Sequence, residues 1–299
     1  MTDHVPDSYT PATLADRLFA GLQYALPKHL LSRMIYRFMR IESPAIRRLT
    51  IATFLKGYDV NMAEAVQSDP FAYRSFNDFF TRALRDGARP IDESPNRIVS
   101  PVDGTLSQRG HIEAGAIIQA KGQYYSTLEL LAGNRDSAEL YHDGSFACIY
   151  LAPYNYHRIH MPVAGKVLST VYVPGDLFSV NAATARTVPR LFARNERVIC
   201  EFETTFGRMA LILVGALFVG SMETVHCGEI NPPPRARKQA IAIERGQGRT
   251  YAKGEELGRF NIGSTVVLLF ERSRVEWASG FQAEVRVKLG QAIAQAGAR

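Results

Sequence analysis

A chain of 299 residues, 46% hydrophobic and 21% charged, has the composition of a folded protein and the length of one large domain or two modest ones. Its net charge of +6 favours anionic partners. Without a Lys/Arg run, zinc-finger spacing or an RNP-like aromatic motif, nucleic acid is not expected among them.

Three well-separated cysteines, Cys148, Cys200 and Cys227, fit small buried hydrophobes in a reducing compartment. The start Met1-Thr2-Asp3-His4 lacks a basic and apolar leader, so no secretory signal is expected. No apolar run reaches about 18 residues, so no membrane-spanning helix is expected either.

The stretch from Pro11 to Leu84 reads as helical, with helical apolar spacing in Thr13–Leu26 and Leu30–Met39 and punctuation at Pro27 and Pro44. Between Leu14 and Gly57 stand eight Lys/Arg against two acids, Asp16 and Glu42. Basic amphipathic helices of this kind suit a membrane interface. They equally suit a helical layer packed on the rest of the protein, its arginines solvated.

From Arg97 to Glu271 short β-prone runs alternate with turns: Ala147–Leu151, Lys166–Val173, Arg197–Glu203, Met209–Val214 and Thr265–Phe270. A weaker helical segment is expected at Ser126–Leu131. Met209 to Gly220 reads as a buried strand pair, and Pro232-Pro233-Pro234 and Arg245–Gly248 as exposed loops. After Arg274 come alternating residues at Ala283–Leu289 and a frayed Gln/Ala/Gly tail. The expected fold is α+β, with N-terminal amphipathic helices on a mainly antiparallel, sandwich- or barrel-like β-core. The expected division is a helical region at 1–84 and a β-rich domain at 85–299.

Three polar clusters interrupt this framework. Ser100-Pro101-Val102-Asp103-Gly104 is a turn signal. Tyr156-His157-Arg158-Ile159-His160-Met161-Pro162 carries two histidines three apart, on one face of a helix or on opposite faces of a strand. They suit metal ligation, a packed structural role or acid–base work, although no further ligand follows at a zinc-like interval. Gly263-Ser264-Thr265 opens an apolar strand and, read alone, is an ordinary turn. Together, Asp103, a histidine and Ser264 supply the parts of an activated hydroxyl nucleophile. The second Gly of a hydrolase nucleophile elbow is absent, which disfavours a conventional esterase.

These segments resemble bacterial phosphatidylserine decarboxylases. So do Tyr73–Phe80, Arg85–Ile91, Val173–Asn181, Asn195–Val198 and Val214–Ala216, in the same order along nearly the whole chain. Ile262 departs from the Leu usual in that family, a conservative change. The resemblance implies a self-cleavage triad of Asp103, His160 and Ser264, in which His160, oriented by Asp103, deprotonates Ser264. Ser264 then attacks the Gly263 carbonyl, and elimination and hydrolysis leave a pyruvoyl group at 264.

The products would be a large chain, 1–263, and a small chain, 264–299, held as a heterodimer and open to pairing into a larger oligomer. The covalent pyruvoyl (pyruvate) group would be the cofactor, with no metal and no pyridoxal phosphate. It would form a Schiff base with the serine head group of phosphatidylserine and draw off electrons as CO2 leaves, giving phosphatidylethanolamine in phospholipid biosynthesis. His157 is implied as the decarboxylation acid/base, and Phe178, Ser179 and Val180 as substrate-binding residues.

The resemblance also favours membrane docking by region 1–84, at anionic phospholipid on the cytoplasmic side of the inner membrane. The alternatives are a pyruvoyl decarboxylase of a soluble amino acid, a metal hydrolase using His157 and His160, and an inactive membrane-binding module.

Overall fold

The fold is that of a computed structural model, which describes residues 11–120, 122–218, 221–230, 239–263 and 265–297. Ser264 and the expected loop Pro232-Pro233-Pro234 lie outside the described residues.

Among the described residues four α-helices precede the first strand. Helix α1 (Leu14–Ala25) starts from a reciprocal cap: Thr13 Oγ1 accepts the Asp16 N–H, and the Asp16 carboxylate accepts the Thr13 N–H. The extended Leu26 before Pro27 ends it. Helix α2 (Lys28–Phe38) follows directly, and α3 (Pro44–Gly57) starts with proline in its first turn, where no N–H is needed. Helix α4 (Phe76–Phe80) is capped by the Ser75 hydroxyl.

Helices α1 and α2 each turn an apolar ridge to solvent at i, i+4 spacing. Leu14, Leu18 and Leu22 are 73%, 66% and 61% exposed, and Leu30, Met34 and Phe38 are 53%, 60% and 41% exposed. Helices α3 and α4 bury theirs. The Phe54 ring lies 5.3–6.0 Å from those of Phe76, Phe79 and Phe80, and this small core packs against Tyr154 and Ile262. The helical layer thereby reaches the segment just before Gly263.

Among the described residues the largest sheet has nine strands. Its central run is Gly165–Val173, Arg197–Thr204, Gly207–Val214, Thr265–Phe270, Ser145–Tyr150 and Gly104–His111, each antiparallel to the next. Different strands lie at the two edges, so the sheet is open and not a closed barrel.

Thr265–Phe270 is buried at every position. Val266, Leu268 and Phe270 point into one apolar core, and Val267 and Leu269 into the other, as the two-residue period of a strand requires. Two local expectations are corrected. Among its described residues, Met209 to Gly220 takes part in one strand, Gly207–Val214, rather than a pair; the chain leaves it at Gly215, whose N–H donates to Glu196 O at 2.7 Å. The tail is not wholly frayed: Ala292–Ala296 is a strand between Arg97–Val99 and Val275–Trp277, where pairing on both edges overrides weak β-propensity.

Candidate active site

Gly263 ends the loop that feeds the central strand Thr265–Phe270. A side chain on it would lie 2.8 Å from His157 Nε2 and 3.3 Å from Leu151 O, so only glycine lets the backbone come this close to the imidazole.

His157 is fully buried, its ring 4.1 Å from that of Phe80. Its Nδ1 lies 2.8 Å from Asn155 O. A carbonyl only accepts, so Nδ1 carries the proton and Nε2 presents a lone pair. Among the described residues that Nε2 has no hydrogen-bond partner. Burial pushes the His157 pKa down to about 3, and the Arg82 charge adds to the fall. The ring facing Gly263 is therefore neutral at physiological pH, with its basic nitrogen free.

His160 closes the short strand Arg158–His160, and its ring contacts differ from those of His157. Its Nδ1 donates to Gly254 O at 2.8 Å, and its Nε2 lies 3.1 Å from the Tyr156 hydroxyl. Burial lowers its pKa, against the opposing pull of Glu256 and Asp103.

Asp103 is buried just before the strand Gly104–His111. Its carboxylate is held by Arg89, with Nε 2.9 Å from Oδ1 and Nη2 2.6 Å from Oδ2, and by the Leu289 N–H at 2.9 Å. Asp103 is near enough to His160 to bias its charge, but its hydrogen bonds go to Arg89 and Leu289 rather than to the imidazole. Arg89 also pairs with Glu64 at 2.8 Å. Its role was hidden in the sequence: it lies in the Arg85–Ile91 segment, and only the folded geometry brings it to Asp103.

A cavity of about 410 Å³ opens beside Gly263. Its walls come from Ile35 of α2 and the Met39 that caps it, Phe54 of α3 and the Tyr58 that caps it, Phe76 and Phe80 of α4, the loop Ser179-Val180-Asn181 and the turn at 216–218. Of the expected substrate-binding residues, Ser179 and Val180 line it. Phe178 is buried behind the wall, its N–H and C=O both held by the Asn195 side chain. The cavity is mostly apolar, with one side supplied by the helical layer.

Among the described residues, His157 Nε2, which faces Gly263, and Thr265 Oγ1 are buried polar atoms without a hydrogen-bond partner. A carbonyl-bearing group formed at residue 264 would find the Thr265 hydroxyl as a donor and the His157 Nε2 lone pair as a base, so the residues present fit a pyruvoyl group. Among the described residues, no three His, Cys, Asp or Glu side chains gather in a way that could hold a metal ion.

A family model described as phosphatidylserine decarboxylase matches residues 76–295, and a second, described as PSD, matches residues 18–59. The phosphatidylserine decarboxylase proenzyme of Shewanella denitrificans is 50% identical over 284 residues, covering 93% of this chain and 98% of the relative. That of Alkalilimnicola ehrlichii is 50% identical over 284 residues, covering 95% and 98%. That of Shewanella amazonensis is 48% identical over 283 residues, covering 94% and 99%.

Proposed function

The chain belongs to the phosphatidylserine decarboxylase family, and from that premise we propose that it cuts itself between Gly263 and Ser264 and then decarboxylates phosphatidylserine in the cavity beside Gly263. The observation that carries the reading is the neutral, unpartnered Nε2 of the buried His157 against the glycine of the cut. Family membership makes the protein a carboxy-lyase.

In the proposed cut, His160 takes the Ser264 hydroxyl proton through Nε2, exchanging its contact with the Tyr156 hydroxyl for one with Ser264. Asp103, fixed by Arg89, stabilises the charged imidazole from nearby. A second reading gives His157 a share in the cut, favoured by its approach to Gly263.

Once formed from Ser264, a pyruvoyl group supplies the electron sink that loss of CO2 needs. His157, its ring against Gly263, is placed to deliver a proton to the carbon that has lost CO2. Its low pKa means that a proton it holds is readily given up. The apolar walls exclude water, and Ser179 and Val180 border the head group.

Region 1–84 acts as the docking layer and 85–299 as the catalytic domain. No described helix is long and apolar enough to cross a membrane. The exposed ridges of α1 and α2, among eight basic residues, instead suit a peripheral seat on anionic lipid at the cytoplasmic face of the inner membrane. The two products of the cut stay together as a heterodimer, because the small chain contributes the central strand Thr265–Phe270.

Intact-mass measurement tests the core of the reading: a blocked small chain beginning at residue 264 is expected, and Ser264→Ala should stay uncut. Two chains in Ser264→Ala would sink the mechanism. His157→Ala is expected to cleave without decarboxylating, and His160→Ala to remain uncut. A His157→Ala chain that stays whole would move His157 into the cut itself.

A further inference from the structure

Helix α1 faces two ways. Its outer ridge, Leu14, Leu18 and Leu22, is exposed, whereas its inner face is locked to the loop that lines the cavity. Gln23 is 2% exposed, unusual for an amide on an outer helix. Its Oε1 accepts the Ser179 N–H at 2.9 Å, and its Nε2 donates to Ser179 Oγ at 2.9 Å. From the opposite side the catalytic core holds the same loop: Asn195 takes both backbone groups of Phe178, and Thr184 Oγ1 donates to Ser179 O at 2.6 Å.

The rest of the helix strengthens the clamp. Asp16 pairs with Arg186 at 3.0 Å, both largely buried. The Tyr24 ring lies 4.8 Å from that of Phe178, and Lys28, the first residue of α2, has its Nζ 4.1 Å above the same ring while donating to Gln23 O.

We infer that Gln23 is a positioning residue, through which the helix that meets the lipid surface sets the cavity loop at Ser179. This rests on the reading of α1 as a docking element and of the loop as a border of the head-group site. Lipid contact on the outer ridge and loop geometry on the inner face are then two ends of one rigid connection. Gln23 touches no reacting atom, so its loss should weaken substrate binding more than the chemical step.

The test uses purified, self-cleaved full-length enzyme on mixed phosphatidylcholine and phosphatidylserine vesicles. Gln23→Met keeps the volume and the helix but removes both hydrogen bonds. It is expected to raise KM about tenfold, the scale of one or two buried neutral hydrogen bonds, with kcat within about twofold. Self-cleavage and vesicle flotation should be unchanged. Gln23→Glu keeps an acceptor for the Ser179 N–H and should recover most of the KM.

An unchanged KM in Gln23→Met, equal losses in both variants, or a fall in kcat alone would overturn the inference. Should Gln23→Met fail to fold, hydrogen exchange in the unaltered enzyme decides. Vesicles are expected to slow exchange of the Phe178–Val180 amides, and no change would overturn the coupling. If the unaltered enzyme neither floats nor decarboxylates, the underlying reading has failed instead.

Discussion

Arg89 grips both carboxylate oxygens of Asp103, and the pair is almost wholly withdrawn from water, with side-chain exposures of 9% and 8%. Removing one partner of such a pair leaves the other charge buried and uncompensated, which costs about 3 kcal/mol or more. Arg89→Met is therefore expected to lower the melting temperature and slow self-cleavage, read as uncut chain on a denaturing gel. Arg89→Lys, which cannot make the forked contact, should fall between. Normal cleavage in Arg89→Met would remove Asp103 orientation from the account of the cut.

Gly263→Ala tests the approach of His157 to the cut. The new methyl would lie 2.8 Å from Nε2 of a ring packed on Phe80 and without exposed surface, so the imidazole has little room to retreat. Overpacking of this kind costs about 1–3 kcal/mol and displaces the groups that must line up. Cleavage is expected to slow more than tenfold in a time course after synthesis, at roughly that energetic scale. Cleavage at the ordinary rate would mean that His157 and Gly263 part before the reaction.

Much of this fold is legible in the sequence, for physical reasons. Thr265–Phe270 is a run of β-branched and large apolar residues, so its bounds are read correctly. Helix α1 announces itself through Thr13, Asp16 and the proline after Leu26. The histidine segment stands out as a candidate site because two imidazoles on a strand connection are chemically conspicuous. What is not legible is pairing over distance. Arg89 meets Asp103 across a loop, and Gln23 meets Ser179 from 156 residues away, and neither contact has a periodic signature. Whether His157 and His160 share a face depends on whether their segment is helix or strand, and their spacing leaves both open.

Two buried histidines should shape the acid response. His226 Nε2 lies 2.9 Å from Thr170 Oγ1 and its Nδ1 2.9 Å from the Tyr251 hydroxyl; burial pushes its pKa to about 4, with Arg249 adding to the fall. His157 falls to about 3 for the reason already given. In the unfolded chain each would take up a proton near pH 6.5. Below that value the unfolded state binds more protons than the folded one, so stability rises with pH in this window. The stabilisation is complete above about 6.5 and is lost as pH falls toward about 4 for His226 and about 3 for His157. Melting of the uncut Ser264→Ala chain should fall steadily from pH 7 to 4.5, and less steeply once His226→Gln is added. An unchanged slope would mean that the His226 ring is not held neutral in the fold.

The cut should not separate its products. Thr265–Phe270 is paired along its full length with Ser145–Tyr150 on one side and Gly207–Val214 on the other. The later strand Ala292–Ala296 is likewise held between two others, one of them, Arg97–Val99, from the large chain. Removing the small chain would expose both apolar cores. The two chains are expected to comigrate in size-exclusion chromatography and to part only in denaturant, near the concentration that unfolds the whole. Release of the small chain in native buffer would contradict this topology.

The exposed apolar ridge of α1 makes the last prediction. Leu18 and Leu22 are 66% and 61% exposed on α1, while the inner face of the same helix is fastened through Asp16 and Gln23. Seating two such leucines in an interface is worth about 1.5–3 kcal/mol each, so Leu18→Asp with Leu22→Asp should cut vesicle flotation by about a hundredfold or more. The inner clamp is untouched, so self-cleavage and melting temperature should change little. Added salt should weaken flotation of the unaltered protein on phosphatidylserine vesicles, because the basic residues of α1–α3 act through screened charge. A double variant that floats as well as the original would move the docking surface off α1, and flotation indifferent to salt would assign the binding to apolar contact without the arginines.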